Sequence, residues 1–106
     1  MATDWAADVK KYAPHADDAV VDKMVSTYRL VLSKPDTASV AYTDKTELET
    51  VRENFLKKKL GLTASDAELD AAIAEVGEVL KGVNRKSRVT VYYLLAEKLG
   101  KLDVFK

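Results

Sequence analysis

The chain has 106 residues, 47% of them hydrophobic, and its 17 basic and 17 acidic residues give a net charge of zero at pH 7. This length predicts one domain with a single modest core, and the charge balance provides no overall field that would attract nucleic acid or an anionic membrane. The absence of cysteine excludes disulfide bonds, thiolate metal sites and cysteine nucleophiles.

The first residues contain no basic region followed by an apolar run, so they do not predict a secretory signal. No apolar run in the chain approaches the roughly 20 residues that span a bilayer. We therefore expect a cytoplasmic protein that does not contact a membrane.

Five helices are predicted in chain order from apolar residues spaced three and four apart. The first covers about residues 4–13, and the second covers about residues 17–33 and ends before a proline. Residues 37–43 are expected to be irregular, with Val40 and Tyr42 packed onto the core.

The third and fourth predicted helices both begin with a capping-box pattern. The third, over residues 44–60, has Asp44 as its N-cap and Glu47 three residues later, and a glycine ends it. The fourth opens at Ser65 in the same way and ends near residue 82. Gly77 lies inside the fourth helix, where a glycine lowers helix stability, and this predicts the close approach of a neighbouring helix.

The fifth predicted helix, over residues 88–99, is apolar in almost every direction, so we expect it at the centre of the fold. Residues 89–93 have strand propensity, but their apolar positions mark one helical face and a lone strand would have no partner. The sequence therefore predicts an all-α, single, compact five-helix domain over residues 1–106, with the C-terminal helix at its centre.

Three long segments of the chain resemble a family of small bacterial proteins catalogued only as a domain of unknown function. These segments are residues 51–62, residues 66–76 and residues 86–100, and the likeness extends from about Val9 to Phe105. The resemblance implies a bacterial cytosolic protein. It implies no catalytic residue, cofactor or partner.

Arg85, Lys86 and Arg88 crowd the predicted start of the fifth helix. Cations at a helix N-terminus oppose the helix dipole, so they need a compensating negative charge. A bound anion is one source of that charge, and Ser87 together with free backbone N–H groups would complete a phosphate-type site.

Ion pairing within the chain is the alternative explanation for the same cluster. Glu75, Glu78 and other carboxylates make the predicted fourth helix acidic, and they could neutralise the three cations. Under this reading no charge remains for a ligand.

A secondary basic patch is formed by Arg52, Lys57, Lys58 and Lys59 on the third helix. Lysines in the last turn of a helix favour its dipole, which is a structural reason for most of the patch. Arg52 and Lys59 share one direction, where their stems could cover the core or their heads could form a basic groove.

The sequence contains no recognisable catalytic motif or metal site. The single histidine, His15, lies beside Asp17 and Asp18 but has no second histidine or cysteine with which to complete a zinc site. We therefore expect no metal, no cofactor and no enzymatic activity.

The expected function is a binding or interaction module with an unknown protein partner or a weak homodimer. The alternative is binding of a phosphate ligand or a nucleic-acid backbone through residues 85–88. The zero net charge argues against nucleic acid.

Overall fold

The computed structural model describes residues 5–34, 38–83 and 86–105. Its elements in chain order are α1 (Trp5–Tyr12), α2 (Asp18–Thr27), α3 (Arg29–Leu32), β1 (Ser39–Val40), α4 (Lys45–Thr50), a π-helix (Val51–Lys59), α5 (Asp66–Val79), β2 (Lys86–Ser87), α6 (Arg88–Lys98) and a short 3₁₀-helix (Leu102–Phe105). Five helices have seven or more residues in these ranges, which confirms the predicted helical fold class.

Helix α6 is the centre of the fold. Eight of its 11 residues are buried, namely Arg88, Val89, Thr90, Val91, Tyr92, Tyr93, Leu95 and Ala96. The helix contacts α1, α2, α5, both strands and the 3₁₀-helix. The prediction that this apolar helix lies at the centre is confirmed, since these contacts remove most of its surface from water.

An aromatic cluster packs beside α6. The rings of Phe55 and Tyr92 stack with centroids 3.9 Å apart and planes 8° apart, and Tyr28 meets Tyr92 edge-on at 5.0 Å. Phe105 joins the cluster from the 3₁₀-helix and is 2% exposed. The C-terminal segment therefore closes the core with its last aromatic residue.

The two strands form one short antiparallel pair, in which Ser39 faces Ser87 and Val40 faces Lys86. This pair is the one departure from the all-α prediction in the part of the chain that is described. Each strand has two residues, too few for the alternation that identifies a strand in a sequence. The pair ties the segment before α4 to the start of α6.

The predicted second helix is interrupted at Tyr28, so the prediction of one continuous helix over residues 17–33 is wrong at this point. Tyr28 has φ −104° and ψ 17°, outside the helical range, and separates α2 from α3. Its amide still donates to the Met24 carbonyl at 3.0 Å and its carbonyl accepts from the Leu32 amide at 2.8 Å. The four-residue hydrogen-bond spacing therefore continues across the break, while the ring of Tyr28 enters the aromatic cluster.

The predicted third helix changes from α to π geometry at Val51. A π-helix bonds residues five apart, as the Leu60 amide does with the Phe55 carbonyl at 2.9 Å. This wider repeat places Val51, Phe55 and Leu56 in the core. It also aligns Arg52 and Lys57, which are five residues apart, with carboxylates of α5.

Replacing Leu95 by alanine tests the central position of α6. Leu95 is completely buried, so Leu95→Ala should lower the free energy of unfolding by about 2–5 kcal/mol in urea titration. Leu30 is 79% exposed and is the matched control, since Leu30→Ala should change stability by no more than about 0.5 kcal/mol. Equal urea midpoints for the two variants would show that α6 is not the core element.

Candidate functional site

A groove runs between α5 and the helical stretch formed by α4 and the π-helix. Its volume is about 620 Å³. We call it the helix groove, and its lining residues are Tyr42, Lys45, Leu48, Glu49, Arg52, Asp70, Ile73, Ala74, Gly77, Glu78, Lys81, Gly82 and Lys86. The lining residues of one wall lie three and four positions apart on α4 and the start of the π-helix. Those of the other wall have the same spacing along α5. Residues with this spacing share one face of a helix, so each wall is one helix face.

The two walls are antiparallel, as their ion pairs show. Arg52 bonds Asp70 at 3.0 Å, and Lys57, further along the chain, bonds Asp66, which comes earlier in α5, at 2.6 Å. The pair between Arg52 and Asp70 therefore marks one end of the groove. Lys45 lies at the other end, on the same side as Lys81.

The floor of the groove depends on a glycine and a tyrosine. An added Cβ atom at Gly77 would lie 2.6 Å from Cε2 of Tyr42, so only glycine permits the ring to lie against α5. The Tyr42 hydroxyl donates to the Ile73 carbonyl at 2.9 Å, and burial raises the pKa of Tyr42 to about 12. Gly77 thus makes room for a ring from the segment before α4, whereas the sequence predicted the approach of a helix.

Lys86 holds a fixed position at the lysine end of the groove. Its Nζ donates to the Val83 carbonyl at 3.0 Å and lies 5.6 Å from the centre of the Tyr42 ring. An ammonium group has three donors, so two remain for a ligand. The side chain is half-buried, which limits the directions in which it can turn.

Lys45 and Lys81 complete this end of the groove, and both are exposed. Neither they nor Lys86 has a carboxylate within 4.0 Å in residues 5–34, 38–83 and 86–105. We refer to Lys45, Lys81 and Lys86 as the rim lysines. Two exposed carboxylates also line this part of the groove, Glu49 one turn after Lys45 and Glu78 one turn before Lys81, so the lysines outnumber the acidic residues here by three to two.

Arg88 of the predicted anion site points into the protein. Its guanidinium donates to Oε1 of Glu47, to the Tyr92 hydroxyl at 2.9 Å and to the Ser39 carbonyl at 3.4 Å, and its side chain is 7% exposed. Burial opposes the charge, but Tyr92 and Glu47 outweigh it and raise the pKa of Arg88 above its ordinary value. Arg88 therefore has a carboxylate partner, as the alternative reading required.

That partner lies on α4, not on the predicted fourth helix. Glu75 instead bonds Lys98. Glu78 lines the helix groove and has no ion pair with the cations of the described ranges. Glu47 was predicted as the second member of a capping box, yet only the Asp44 half of the box forms, with the Asp44 carboxylate accepting from the Thr46 amide at 2.9 Å.

The rest of the predicted cluster is divided between two environments. Ser87 lies in β2, and its buried Oγ has no hydrogen-bond partner among the described residues. Lys86 lines the helix groove, while Arg85 lies outside the described residues. The structure thus separates Lys86 from Ser87 and Arg88, and anion binding at this point of the chain stays a prediction.

The secondary basic patch is half neutralised. Hydrogen bonds that Arg52 donates to Glu53 and Asp70 raise the pKa of Arg52, and bonds that Lys57 donates to Asp66 and Glu53 raise the pKa of Lys57. The same contacts, from Lys57 and then Arg52, lower the pKa of Glu53.

The other two lysines of this patch, Lys58 and Lys59, are exposed. The Nζ of Lys59 lies 5.3 Å from the centre of the Phe105 ring, away from the carboxylates that hold Arg52. Arg52 and Lys59 therefore do not form a common basic groove.

His15 forms a contact with α6. Its Nε2 lies 2.6 Å from Oε2 of Glu97, which also accepts from the Tyr93 hydroxyl at 3.3 Å. No group of three or more histidine, aspartate or glutamate side chains is arranged to hold a metal ion in the part of the chain that the structure describes.

Sequence reasoning missed Lys45 and Lys81 as site residues. They belong to different predicted helices, and neither forms a cluster in the sequence. Two signals were present: Gly77, which marks a close approach inside a helix, and Tyr42, an aromatic residue in an irregular segment. Neither signal identifies the partner that completes the groove.

The sequence of the chain matches a known family. A family model described as "Protein of unknown function (DUF2853)" matches residues 4–103, which confirms the resemblance to a family of unknown function. A search of curated proteins found no match to the chain. None of the helices in the described ranges is both long and apolar enough to span a membrane.

The contact between Gly77 and Tyr42 predicts that Gly77→Ala lowers the stability of the wild type but raises the stability of a variant without the tyrosine ring. Gly77→Ala should lower the free energy of unfolding by about 1–3 kcal/mol, because the new methyl group overlaps the ring. In a Tyr42→Ala background the same substitution should raise stability by up to about 1 kcal/mol, since alanine favours a helix over glycine. Urea denaturation of the four proteins measures both effects, and the same sign in both backgrounds would contradict the described contact.

The buried charge of Arg88 predicts a large loss of stability when it is removed. Arg88→Met should cost about 3 kcal/mol, because Glu47 and the Tyr92 hydroxyl lose their partner. Lys98→Met is the control, since Lys98 and Glu75 form an exposed pair whose loss should cost less than about 1 kcal/mol. Equal unfolding free energies for the two variants would show that Arg88 is not held in the interior.

Proposed function

The chain belongs to DUF2853, a family of unknown function, and we propose that it is a non-enzymatic binding module whose ligand lies in the helix groove. One observation carries this proposal. The groove combines an apolar floor with three lysines at one end that have no carboxylate partner among the described residues.

The size and lining of the groove support the binding of a small ligand. Its volume of about 620 Å³ lies within the range of about 300–1,000 Å³ that is typical of small-molecule sites. Leu48, Ile73 and Ala74, together with the Tyr42 ring, supply apolar surface, and the rim lysines supply charge. A ligand with an apolar body and one anionic group would match both features.

The lining residues support binding rather than nucleophilic catalysis. They include no serine, threonine, cysteine or histidine in the described ranges. The Tyr42 hydroxyl is bonded to a backbone carbonyl, and Asp70 is bonded to Arg52. A hydroxyl or thiol nucleophile with an adjacent histidine base therefore has no candidate among these lining residues.

The proposed setting is the cytoplasm. A cysteine-free chain with balanced charge suits a reducing compartment and gives no general attraction to anionic surfaces. Specificity would then come from the local field of the rim lysines.

Blocking the groove tests the proposed function. The probe is 8-anilino-1-naphthalenesulfonate, which has an apolar body and one anionic group. In ¹⁵N–¹H correlation spectra of the wild-type protein, it should cause saturable shifts of amides along α4 and α5. Ala74→Trp, which places an indole in the groove, should abolish these shifts.

Ala71→Trp is the matched control for this experiment. Ala71 is exposed on the same helix but does not line the groove, so its variant should bind the probe as the wild type does. Thermal melts check that both variants are folded. Absence of saturable shifts in the wild type, or equal loss in both variants, would overturn the proposal.

A further inference from the structure

The rim lysines reach one end of the helix groove from three different elements. Lys45 begins α4, Lys81 follows the end of α5 and Lys86 lies in β2. Because the walls are antiparallel, Lys45 and Lys81 lie at the end opposite the pair between Arg52 and Asp70, and Lys86 also lines the groove, with its ammonium beside the Tyr42 ring. An anionic group at this end would receive donors from several sides.

On this basis, and resting on the proposed function, we propose that the helix groove binds a small phosphate monoester with an uncharged, apolar body. A terminal phosphate presents three acceptor oxygens and carries about −1.5 to −2 charges at pH 7. A carboxylate presents two oxygens and one charge. Three ammonium groups from three elements therefore match the phosphate better in both charge and number of acceptors.

The contacts of Lys86 reduce the conformational entropy that its side chain would lose when a ligand binds. Its ammonium is already held by the Val83 carbonyl at 3.0 Å and by the Tyr42 ring. A side chain that is fixed before binding loses less conformational entropy when a ligand arrives. Lys86 is therefore the anchor, and the exposed Lys45 and Lys81 add charge around it.

The acidic residues of the groove restrict where the ligand can be charged. Glu49 and Glu78 line the walls within one turn of Lys45 and Lys81, and Asp70 lies at the far end beside Arg52. A ligand with negative charge along its whole length, such as a nucleic-acid strand, would be repelled by these carboxylates. The body of the ligand must therefore be uncharged where it lies over Leu48 and Ile73.

A series of probes tests separately whether the phosphate group and the apolar body of the ligand contribute to binding. The probes are 1-naphthyl phosphate, 1-naphthaleneacetate, 1-naphthalenemethanol and inorganic phosphate, each titrated into the full chain at low ionic strength and followed by amide shifts. We expect 1-naphthyl phosphate to bind at least about tenfold more tightly than each of the other three. Its affinity should fall as the pH is lowered through about 6, because the second phosphate proton then binds.

Charge-neutral variants test the role of the rim lysines. Lys86→Gln should weaken the binding of 1-naphthyl phosphate by about tenfold and reduce its salt dependence, with little effect on 1-naphthalenemethanol. Lys58→Gln removes an exposed cation outside the groove and should leave all four affinities unchanged.

The outcomes distinguish the ligand class from the binding function. Equal affinities for the phosphate, the acetate and the alcohol, all abolished by Ala74→Trp, would overturn the phosphate assignment and leave the groove as a binding site. Equal affinity for inorganic phosphate and 1-naphthyl phosphate would show that the apolar body contributes nothing, and would also overturn the assignment. Failure of every probe to shift the groove amides would overturn both this inference and the proposed function.

Discussion

The positive charge of Arg88 at the buried start of α6 is the constraint on which the arrangement of the other elements depends. A guanidinium cannot be removed from water unless a carboxylate and further acceptors replace the lost hydration. Glu47 supplies the carboxylate and Ser39 supplies a backbone carbonyl. Because these residues lie on α4 and β1, satisfying one charge fixes the position of both elements against the core helix.

The helix groove follows from that placement. With α4 held to α6 through Glu47, the continuous stretch from α4 into the π-helix forms one wall opposite α5. The ring of Tyr42 fills the space that Gly77 leaves beside α5 and contributes apolar surface to the floor. The strand pair then brings Lys86 to the end of the same groove. The rim lysines and a net charge of zero coexist because other cations of the chain, such as Arg52 and Lys57, lie beside carboxylates.

Several residues have one role in the sequence pattern and another in the fold. Glu47 matches the N3 position of a capping box, three residues after Asp44. An exposed capping bond is weaker than a partly buried hydrogen bond to a guanidinium. The Glu47 carboxylate therefore turns toward Arg88. The cluster at residues 85–88 reads as one basic unit, yet neighbouring residues in a strand point to opposite faces, which sends Lys86 toward the groove and Ser87 inward. The groove lysines at positions 45 and 81 could not be recognised in advance, because their proximity depends on the antiparallel packing of two helices.

The sequence by itself determined the helical class, the central position of α6 and the capping of α4 and α5 by Asp44 and Ser65, because these follow from local periodicity and from hydrogen bonds within a few residues. Only the tertiary structure decided the break at Tyr28, the π geometry after Val51, the partner of Arg88 and the lining of the groove. Each of these depends on which side chain from a distant part of the chain packs nearby. Contacts between residues far apart in the chain leave no periodic pattern in the sequence.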